Sequence, residues 1–321
     1  MKLNQNNLKA VADRLKSPEF DGVLVACHRS PDGDACGSAH ALVWALRKLG
    51  KKAAVFCPDP FGKDFSYLTQ WEENEKLENP RCFVTVDVAD PAMLCGAPFA
   101  DSPDVVIDHH KMNSVAGKMK YVDADSASCG EIVLDLLDAL SVEPDRRIAL
   151  AIYTAIATDT GLCRFSNTNE RTFLALARLS RFAEKGDFYR INKLLFETKS
   201  YARLSLESYG IRQMRFAAEG KIAYLMLTRE EQARLGADYE ELSSLVQVLR
   251  QVEGVLVAMV IKERDPGEFK VSVRSEAPFD AAAFCALFGG GGHTAAAGCS
   301  LRGEAQEVLN SLLVRAEGVL S

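Results

Sequence analysis

The sequence lacks the features that would place it in a membrane or outside the cell. No apolar run approaches the roughly 20 residues that a membrane-spanning helix needs, and the first residues, MKLNQNNLKAVADRLK, contain no apolar centre of a secretory signal. No C-x-x-C occurs, and the count of nine cysteines is odd, which disfavours a disulfide framework and a zinc ribbon. We therefore expect a cytoplasmic protein with reduced core cysteines and no membrane partner.

Positive charge is also scarce. The chain has 38 Lys and Arg against 44 Asp and Glu, and its net charge at pH 7 is -6. Proteins that bind long nucleic acids usually carry a basic surface, because the phosphate backbone is a polyanion. We therefore expect no long nucleic acid as partner, whereas a short oligonucleotide or a mononucleotide held through metal ions is compatible. The oligomeric state stays open, a homodimer included.

In the first half of the chain, short apolar runs alternate with helical patterns. Strands are predicted at 22–27, 53–57, 82–86 and 105–107, and helices at 36–49, 128–140 and 145–157. This alternation predicts an α/β fold, with a parallel sheet and helices on both faces.

The rest of the chain has a different pattern. Residues 170–216 are predicted as nearly continuous helix, and the last hundred residues mix helices with strands at 221–227, 254–262 and 269–274. Asp265-Pro266-Gly267 is typical of a hairpin turn between the last two of these strands. We expect three parts: an α/β domain over 1–195, a helical connector over 196–216, and a smaller α+β domain with a mixed sheet over 217–321.

Only five histidines occur, and three of them follow predicted strands among aspartates. The first strand leads into His28-Arg29-Ser30-Pro31-Asp32-Gly33-Asp34. Asp87 follows the third strand, Asp108-His109-His110 follows the fourth, and Asp159 ends a helix. Because α/β sheets bind ligands at the carboxyl ends of their strands, we expect these four segments to converge.

Carboxylates and imidazoles without thiolates suit Mn(II), and Mg(II), Co(II) or Zn(II) are compatible. A bridging carboxylate can hold two such ions about 3.5–4 Å apart on one phosphoryl group. Each residue alone has a simpler interpretation: D-x-D at 32–34 as a turn or helix cap, a single histidine such as His40 as a core residue. Gly33 and Gly37 are expected to let the backbone turn tightly. The coincidence of all four segments favours a metal-dependent phosphoesterase.

A second signal is the run Gly289-Gly290-Gly291-Gly292-His293 after a predicted helix. Glycine backbones can present N–H groups to an anion, and His293 can donate to a phosphate. The alternative is a flexible surface turn. Arg274, at the end of a predicted strand, either forms a bidentate contact with phosphate or is solvated.

These segments resemble the four motifs of the DHH phosphoesterase superfamily: H-x-x-x-D-x-D at 28–34, Asp87, Asp108-His109-His110 and Thr158-Asp159-Thr160-Gly161. Arg274 and the glycine run resemble the DHH-associated C-terminal domain, so the resemblance covers nearly the whole chain. The chain length and Arg164-Phe165-Ser166-Asn167-Thr168 are most similar to the stand-alone nanoRNases, which are oligoribonucleases and pAp phosphatases.

The resemblance implies a role for each matching position. One metal ion would be bound by His28, Asp32 and Asp87, and the second by Asp34, Asp87, His109 and Asp159, so that Asp87 bridges. Asp87, Asp108 and His110 would be catalytic: Asp108 would orient a ligating histidine, and His110 would contact the substrate phosphate or the attacking water. The implied substrate contacts are His110, Arg164, Arg274, Gly290, Gly291, Gly292 and His293.

The implied activity uses two divalent metal ions, with Mn(II) preferred. It hydrolyses short oligoribonucleotides, including linear dinucleotides, to nucleoside 5'-monophosphates, or pAp to AMP and phosphate. Two alternatives come from the same superfamily, a cyclic-dinucleotide phosphodiesterase and an inorganic pyrophosphatase, and the short acidic chain disfavours a long-strand exonuclease. A non-catalytic nucleotide sensor is the alternative from another class, although the complete ligand set argues against it.

Overall fold

The computed structural model describes residues 7–71, 77–237 and 239–320, and the chain divides into two compact units after residue 198. The first unit contains a five-stranded, all-parallel sheet in the order β2-β1-β3-β4-β5. Its strands are β1 Val23–Ala26, β2 Ala53–Phe56, β3 Cys82–Val86, β4 Val105–Asp108 and β5 Met119–Val122. The predicted parallel sheet is confirmed, and β5, which has no strong apolar pattern, is an additional strand.

The two faces of this sheet are covered differently. One face packs against α-helices in a large apolar core, whereas the other packs against a short 3₁₀ helix, Pro91–Leu94, and the loop after it. The helices of this unit are α1 Leu8–Lys16, α2 Gly33–Lys48, α3 Ser66–Thr69, α4 Cys129–Leu140, α5 Arg146–Asp159, α6 Glu170–Leu179 and α7 Asp187–Asn192. His40 on α2 is buried in the core, where Nδ1 donates to the carbonyl of Cys36.

Gly33 and Gly37 lie inside α2, so the expected tight turn at these glycines is wrong. They allow helix α5 to approach α2 closely: a Cβ at Gly37 would stand 2.2 Å from the carbonyl oxygen of Ala151, and one at Gly33 would stand 2.3 Å from Thr158. This close packing sets the end of α5 beside the beginning of α2.

The expectation of nearly continuous helix over 170–216 is also wrong. The segment after α6 is broken at Gly186, whose φ of 91° is left-handed. Helix α7 then passes into one π-helical turn, Lys193–Glu197, before α8 begins as Tyr201–Gln213. Helix α8 belongs to the second unit, where Leu206 joins the apolar core that contains Leu245.

The second unit is built on a six-stranded mixed sheet in the order β10-β11-β9-β8-β7-β6. The pair β7–β8 is parallel, the other pairs are antiparallel, and the predicted hairpin around 265–267 is confirmed. Its strands are β6 Arg215–Ala217, β7 Ile222–Leu227, β8 Val257–Asp265, β9 Glu268–Ser275, β10 Gly291–His293 and β11 Ala296–Arg302. Its further helices are α9 Arg229–Leu235, α10 Tyr239–Ser243, α11 Leu245–Leu249, α12 Ala281–Ala286 and α13 Ala305–Leu320.

Among the described helices, none combines the length and the apolar character needed to cross a membrane. All nine cysteines lie in the described part of the chain and none forms a disulfide there; most are buried, and Cys95 is exposed.

Candidate metal centre

The parallel sheet delivers acidic and imidazole side chains to a single edge. His28 lies two residues beyond β1, Asp87 directly follows β3, and β4 ends at Asp108 before His109. Asp159 is the last residue of α5. The structure therefore brings the four predicted segments together, because parallel strands share the direction in which they end.

Three of these side chains form a first group around His28. Its Nε2 lies 3.8 Å from Oδ1 of Asp32 and 3.6 Å from Oδ2 of Asp87. Its Nδ1 is 2.7 Å from the carbonyl oxygen of Arg29 and so carries the proton that it donates. This bond directs Nε2 toward the two carboxylates. Asp32 also caps helix α2, because its Oδ1 accepts from the backbone N–H of Ala35.

A second group surrounds His109. Its Nε2 lies 3.7 Å from Oδ2 of Asp34, 3.5 Å from Oδ1 of Asp87 and 3.5 Å from Oδ2 of Asp159. Asp87 therefore presents one oxygen to each histidine. It is the residue that the two groups share.

The distances between these nitrogen and oxygen atoms suit two ligands of one cation better than a direct hydrogen bond. A separation of 3.5–3.8 Å is too long for a good N–H···O hydrogen bond. Two atoms that each stand about 2.1 Å from one ion are at most about 4.2 Å apart. Oδ1 of Asp87 is buried and has no hydrogen-bond partner among the described residues. An unpaired buried carboxylate oxygen is costly unless a cation meets it, so this set of donors fits divalent metal ions.

Asp87 is held in an unusual backbone conformation. Its φ is 57°, in the left-handed region that residues with a Cβ rarely adopt. Its N–H donates to the carbonyl of Ile107 on the neighbouring strand. Strain of this kind persists where the surrounding structure fixes it, and it concentrates at functional sites. The strained turn directs the carboxylate between His28 and His109.

Asp108 lies behind the two groups and is fully buried. Its Oδ1 is 2.8 Å from Nδ1 of His110 and accepts from the N–H of His109, while its Oδ2 accepts from Nδ2 of Asn113 at 2.5 Å. The imidazole that Asp108 orients is therefore that of His110. Nothing in the sequence pattern identified Asn113, whose amide also donates to the carbonyl of Val88.

The burial and the concentration of carboxylates shift the pKa values of the side chains in this site. Burial raises the pKa of Asp159 to about 6, and burial together with the charge of Asp87 raises the pKa of Asp34. Burial opposes protonation of the histidines, but the carboxylates beside them raise the pKa of His28 to about 9 and that of His109 to about 10. Protons thus neutralise the negative charge that metal ions would otherwise neutralise.

The loop after Asp159 carries Arg164 and Phe165. Three consecutive residues, 161–163, have left-handed backbones, and Asn167 donates from Nδ2 to the carbonyl of Asp159. Nε of Arg164 donates to the carbonyl of Gly161. The ring of Phe165 lies against Gly161, since a Cβ there would be 2.5 Å from its Cζ, and Phe165 is 46% exposed. Phe165 was not among the residues predicted to bind substrate.

The remaining predicted residues belong to the second unit, on its sheet. His293 pairs with Ala296 on one side, and Arg274 pairs with Ala296 on the other. Residues directly opposite one another across strands project from the same face, so a small residue separates the imidazole from the guanidinium.

The glycine run is partly a strand, which the sequence analysis did not predict. Gly291–His293 form the edge strand β10. A Cβ at Gly290 would lie 2.2 Å from the carbonyl oxygen of Gly298, and one at Gly292 would lie 2.5 Å from that of Ala296. Glycine is therefore required here for the close approach of two strands.

Comparison with known proteins agrees with this division of the chain. Residues 22–156 match the family model described as the DHH family, N-terminal domain, and residues 219–321 match the DHHA1 domain. A protein of Thermus thermophilus named bifunctional oligoribonuclease and PAP phosphatase NrnA is 34% identical over 92% of this chain and 89% of its own length.

More distant proteins extend the similarity. A Bacillus subtilis protein with the same name is 25% identical over 91% of this chain and 94% of its own. The crystal structure of an exopolyphosphatase-related protein from Bacteroides fragilis superposes with a TM-score of 0.84 over 98% of this chain and 97% of its own, at 23% identity. That structure shares the fold.

Proposed function

The chain belongs to the DHH family, and on this premise we propose that it is a metal-dependent phosphoesterase that hydrolyses short oligoribonucleotides to nucleoside 5'-monophosphates and pAp to AMP and phosphate. The relatives named for both activities align with almost the whole chain. The position of Asp87, with one carboxylate oxygen toward His28 and the other toward His109, is the observation that carries the proposal.

The proposed ligands follow from the two groups. His28, Asp32 and Asp87 would hold one divalent ion, and Asp34, Asp87, His109 and Asp159 would hold the other. Oxygen and imidazole donors suit Mn(II), and Mg(II) or Co(II) are compatible. When bound, such a pair of ions neutralises a phosphoryl group and acidifies water at neutral pH.

His110 is proposed to contact the substrate phosphate. Its Nδ1 is engaged by Asp108, so Nε2 is the nitrogen available to a ligand. The bond to Asp108 raises the pKa of His110, which favours an imidazolium that can donate to a phosphate oxygen. Asn113 and the buried Asp108 fix the orientation of the ring before the substrate arrives.

A second phosphate or the nucleotide is proposed to bind through the second unit. Arg274 and His293 flank the small side chain of Ala296 on one face of the sheet, which leaves room for an anion between two donors. Gly290, Gly291 and Gly292 are proposed to contribute to the same site. Arg164 is proposed as a further phosphate contact, since it is exposed in the loop that follows Asp159.

The net charge of -6 supports a short substrate over a long nucleic acid. The proposal is tested with a Mn(II)-dependent turnover panel of pAp, RNA of two to five residues, linear and cyclic dinucleotides, and pyrophosphate. We expect nucleoside monophosphates from the linear RNAs and AMP from pAp. Turnover of pyrophosphate or cyclic dinucleotides alone contradicts the proposal, and so does tight nucleotide binding without turnover, which would indicate a sensor.

A matched pair of variants links that activity to Asp87. Asp87→Asn keeps the size of the side chain but weakens it as a shared ligand. Even residues behind a metal ligand contribute about 10- to 100-fold, so we expect kcat to fall by more than about a hundredfold. Asp101→Asn, at an exposed position of the same unit, should leave kcat unchanged. Turnover by Asp87→Asn near the unsubstituted rate would refute the metal assignment.

A further inference from the structure

Two cysteines follow adjacent strands beside the candidate metal centre. β1 and β2 are parallel neighbours with Ala26 opposite Phe56, and the next residue on each strand is a cysteine, Cys27 and Cys57. The N–H of Cys27 still donates to the carbonyl of Phe56, so the two cysteines continue the register. Sγ of Cys27 donates to the carbonyl of Phe56, the residue before Cys57, at 3.8 Å.

This pair contacts the backbone of a proposed metal ligand. Cys27 immediately precedes His28, and Sγ of Cys57 donates to the carbonyl of His28 at 3.2 Å. Cys27 is fully buried, whereas Cys57 is half-buried. A small oxidant can therefore reach Cys57, and Cys27 is positioned to react with it next.

We propose that Cys27 and Cys57 form a reversible oxidation site that controls how tightly His28 and its partners hold a cation. In the first step the Cys57 sulfur attacks hydrogen peroxide and the O–O bond breaks, so that Cys57 becomes a sulfenic acid while the thiol proton leaves with the other oxygen as water. In the second step the Cys27 sulfur attacks Cys57 and displaces a second water. The two thiols lose two electrons, the peroxide gains them, and a thiol reductant reverses the change.

The expected effect on the metal site follows from distances. Neighbouring strands are about 4.8 Å apart, and a disulfide accepts Cα atoms about 4.4–6.8 Å apart, so the bond can close between the two strand ends. Closing it turns Sγ of Cys57 toward Cys27 and removes the thiol donor from the His28 carbonyl, which shifts the backbone that holds this ligand. Binding sites tolerate displacements of about 0.5 Å, so we expect oxidation to weaken metal binding.

The second unit provides a matched internal comparison. Cys285 and Cys299 lie in one apolar core, and both are buried. The two pairs differ in accessibility, because only Cys57 is partly exposed. Under limited peroxide, the disulfide should appear between Cys27 and Cys57 and not between Cys285 and Cys299.

The experiment uses the full chain, reduced and freed of metal, then treated with limited hydrogen peroxide. Peptide mapping by mass spectrometry locates any disulfide, and titration with Mn²⁺ measures affinity. We expect a Cys27–Cys57 disulfide and about tenfold weaker Mn²⁺ binding, both restored by dithiothreitol. Cys57→Ser should bind Mn²⁺ normally and resist peroxide, whereas Cys95→Ser, which removes an exposed cysteine, should respond like the unsubstituted protein.

Two outcomes overturn the proposal: oxidised Cys57 without a bond to Cys27, or a Cys27–Cys57 disulfide that leaves Mn²⁺ affinity unchanged. If Cys57→Ser folds poorly, Cys27→Ala provides the same comparison. Loss of phosphoesterase turnover on oxidation rests on the proposed function, but the mapping and the Mn²⁺ titration do not. A protein that forms the disulfide and loses Mn²⁺ affinity without hydrolysing any nucleotide would contradict only the proposed function.

Discussion

The carboxylate of Asp34 accepts a hydrogen bond of 2.7 Å from the backbone N–H of Cys129, which lies 95 residues later in the chain. Its other oxygen accepts from the N–H of Gly130 and from the hydroxyl of Ser38. Asp34, in the first turn of α2, therefore also satisfies the first N–H groups of α4, where a negative charge is favoured. Asp34 also faces His109. Its carboxylate therefore both holds the beginning of α4 and is a proposed metal ligand.

Because Asp34 has both roles, we expect Asp34→Asn to lower the stability of the protein and to weaken metal binding. An amide cannot accept on both sides, so one buried N–H should lose its partner, at a cost of about 1–3 kcal/mol. We expect a lower Tm in the metal-free protein together with weaker Mn²⁺ binding, measured by calorimetry.

Asp159→Asn is the matched variant, because the Asp159 side chain is 27% exposed and also faces His109. It should weaken Mn²⁺ binding with a small change in the metal-free Tm. Equal Tm values for the two metal-free variants would show that the bonds from Asp34 to α4 contribute little.

Much of this arrangement could be predicted from the sequence, because it depends on local patterns. Apolar runs identified strands, and polar residues placed where strands end, such as Asp87 and His109, were expected at one edge. The contacts of Asp34 with α4 and of Asn113 with Asp108 depend on which distant segments pack together, which no local pattern encodes. The strand within the glycine run could not be predicted, because glycine is common both in loops and where two strands approach closely.

Metal binding should depend on pH with a definite sign. In the metal-free protein the pKa values of His28 and His109 are raised to about 9 and about 10 by Asp87 and its neighbours. Both imidazoles are therefore protonated near pH 7, and each must lose its proton to bind an ion. We expect the Kd for Mn²⁺ to fall as the pH rises from about 6 to about 8, by up to about tenfold per unit for each proton displaced.

Isothermal titration in buffers of different ionisation enthalpy measures that proton release directly. Release should be close to one proton for each histidine that becomes a ligand. A Kd independent of pH over this range, with no protons released, would mean that these imidazoles do not bind the metal.

Phe165 is expected to contribute to base recognition. Its ring packs against Gly161 and remains partly exposed, in the loop that follows Asp159. Stacking on an aromatic ring contributes about 1–3 kcal/mol per base, so Phe165→Ala should raise KM for pApA by about tenfold. KM for an abasic analogue should not change, and Phe165→Tyr should restore the original value.

Phe173→Ala tests whether any exposed aromatic ring has this effect, since Phe173 on α6 is 58% exposed. It should leave KM unchanged. If Phe165→Ala raises KM equally for pApA and for the abasic analogue, the ring acts on loop structure and not on the base.

Substitution of Arg274 tests whether the second unit binds a substrate phosphate. Its Nη1 donates to the carbonyl of Val273, and the residue shares a row of the sheet with Ala296 and His293. We expect Arg274→Ala to raise KM for pAp by about tenfold or more, because a charge-assisted hydrogen bond contributes about 1.5–3 kcal/mol. Tm should change little, since the strand keeps its backbone bonds.

Two further variants separate charge from geometry at this position. Arg274→Lys keeps the charge but cannot form a planar, bidentate contact, so it should recover only part of the affinity. Arg302→Ala removes an exposed arginine from the same sheet and should leave KM unchanged. If Arg274→Ala lowers Tm substantially while KM stays constant, the guanidinium supports the sheet and the phosphate is bound elsewhere.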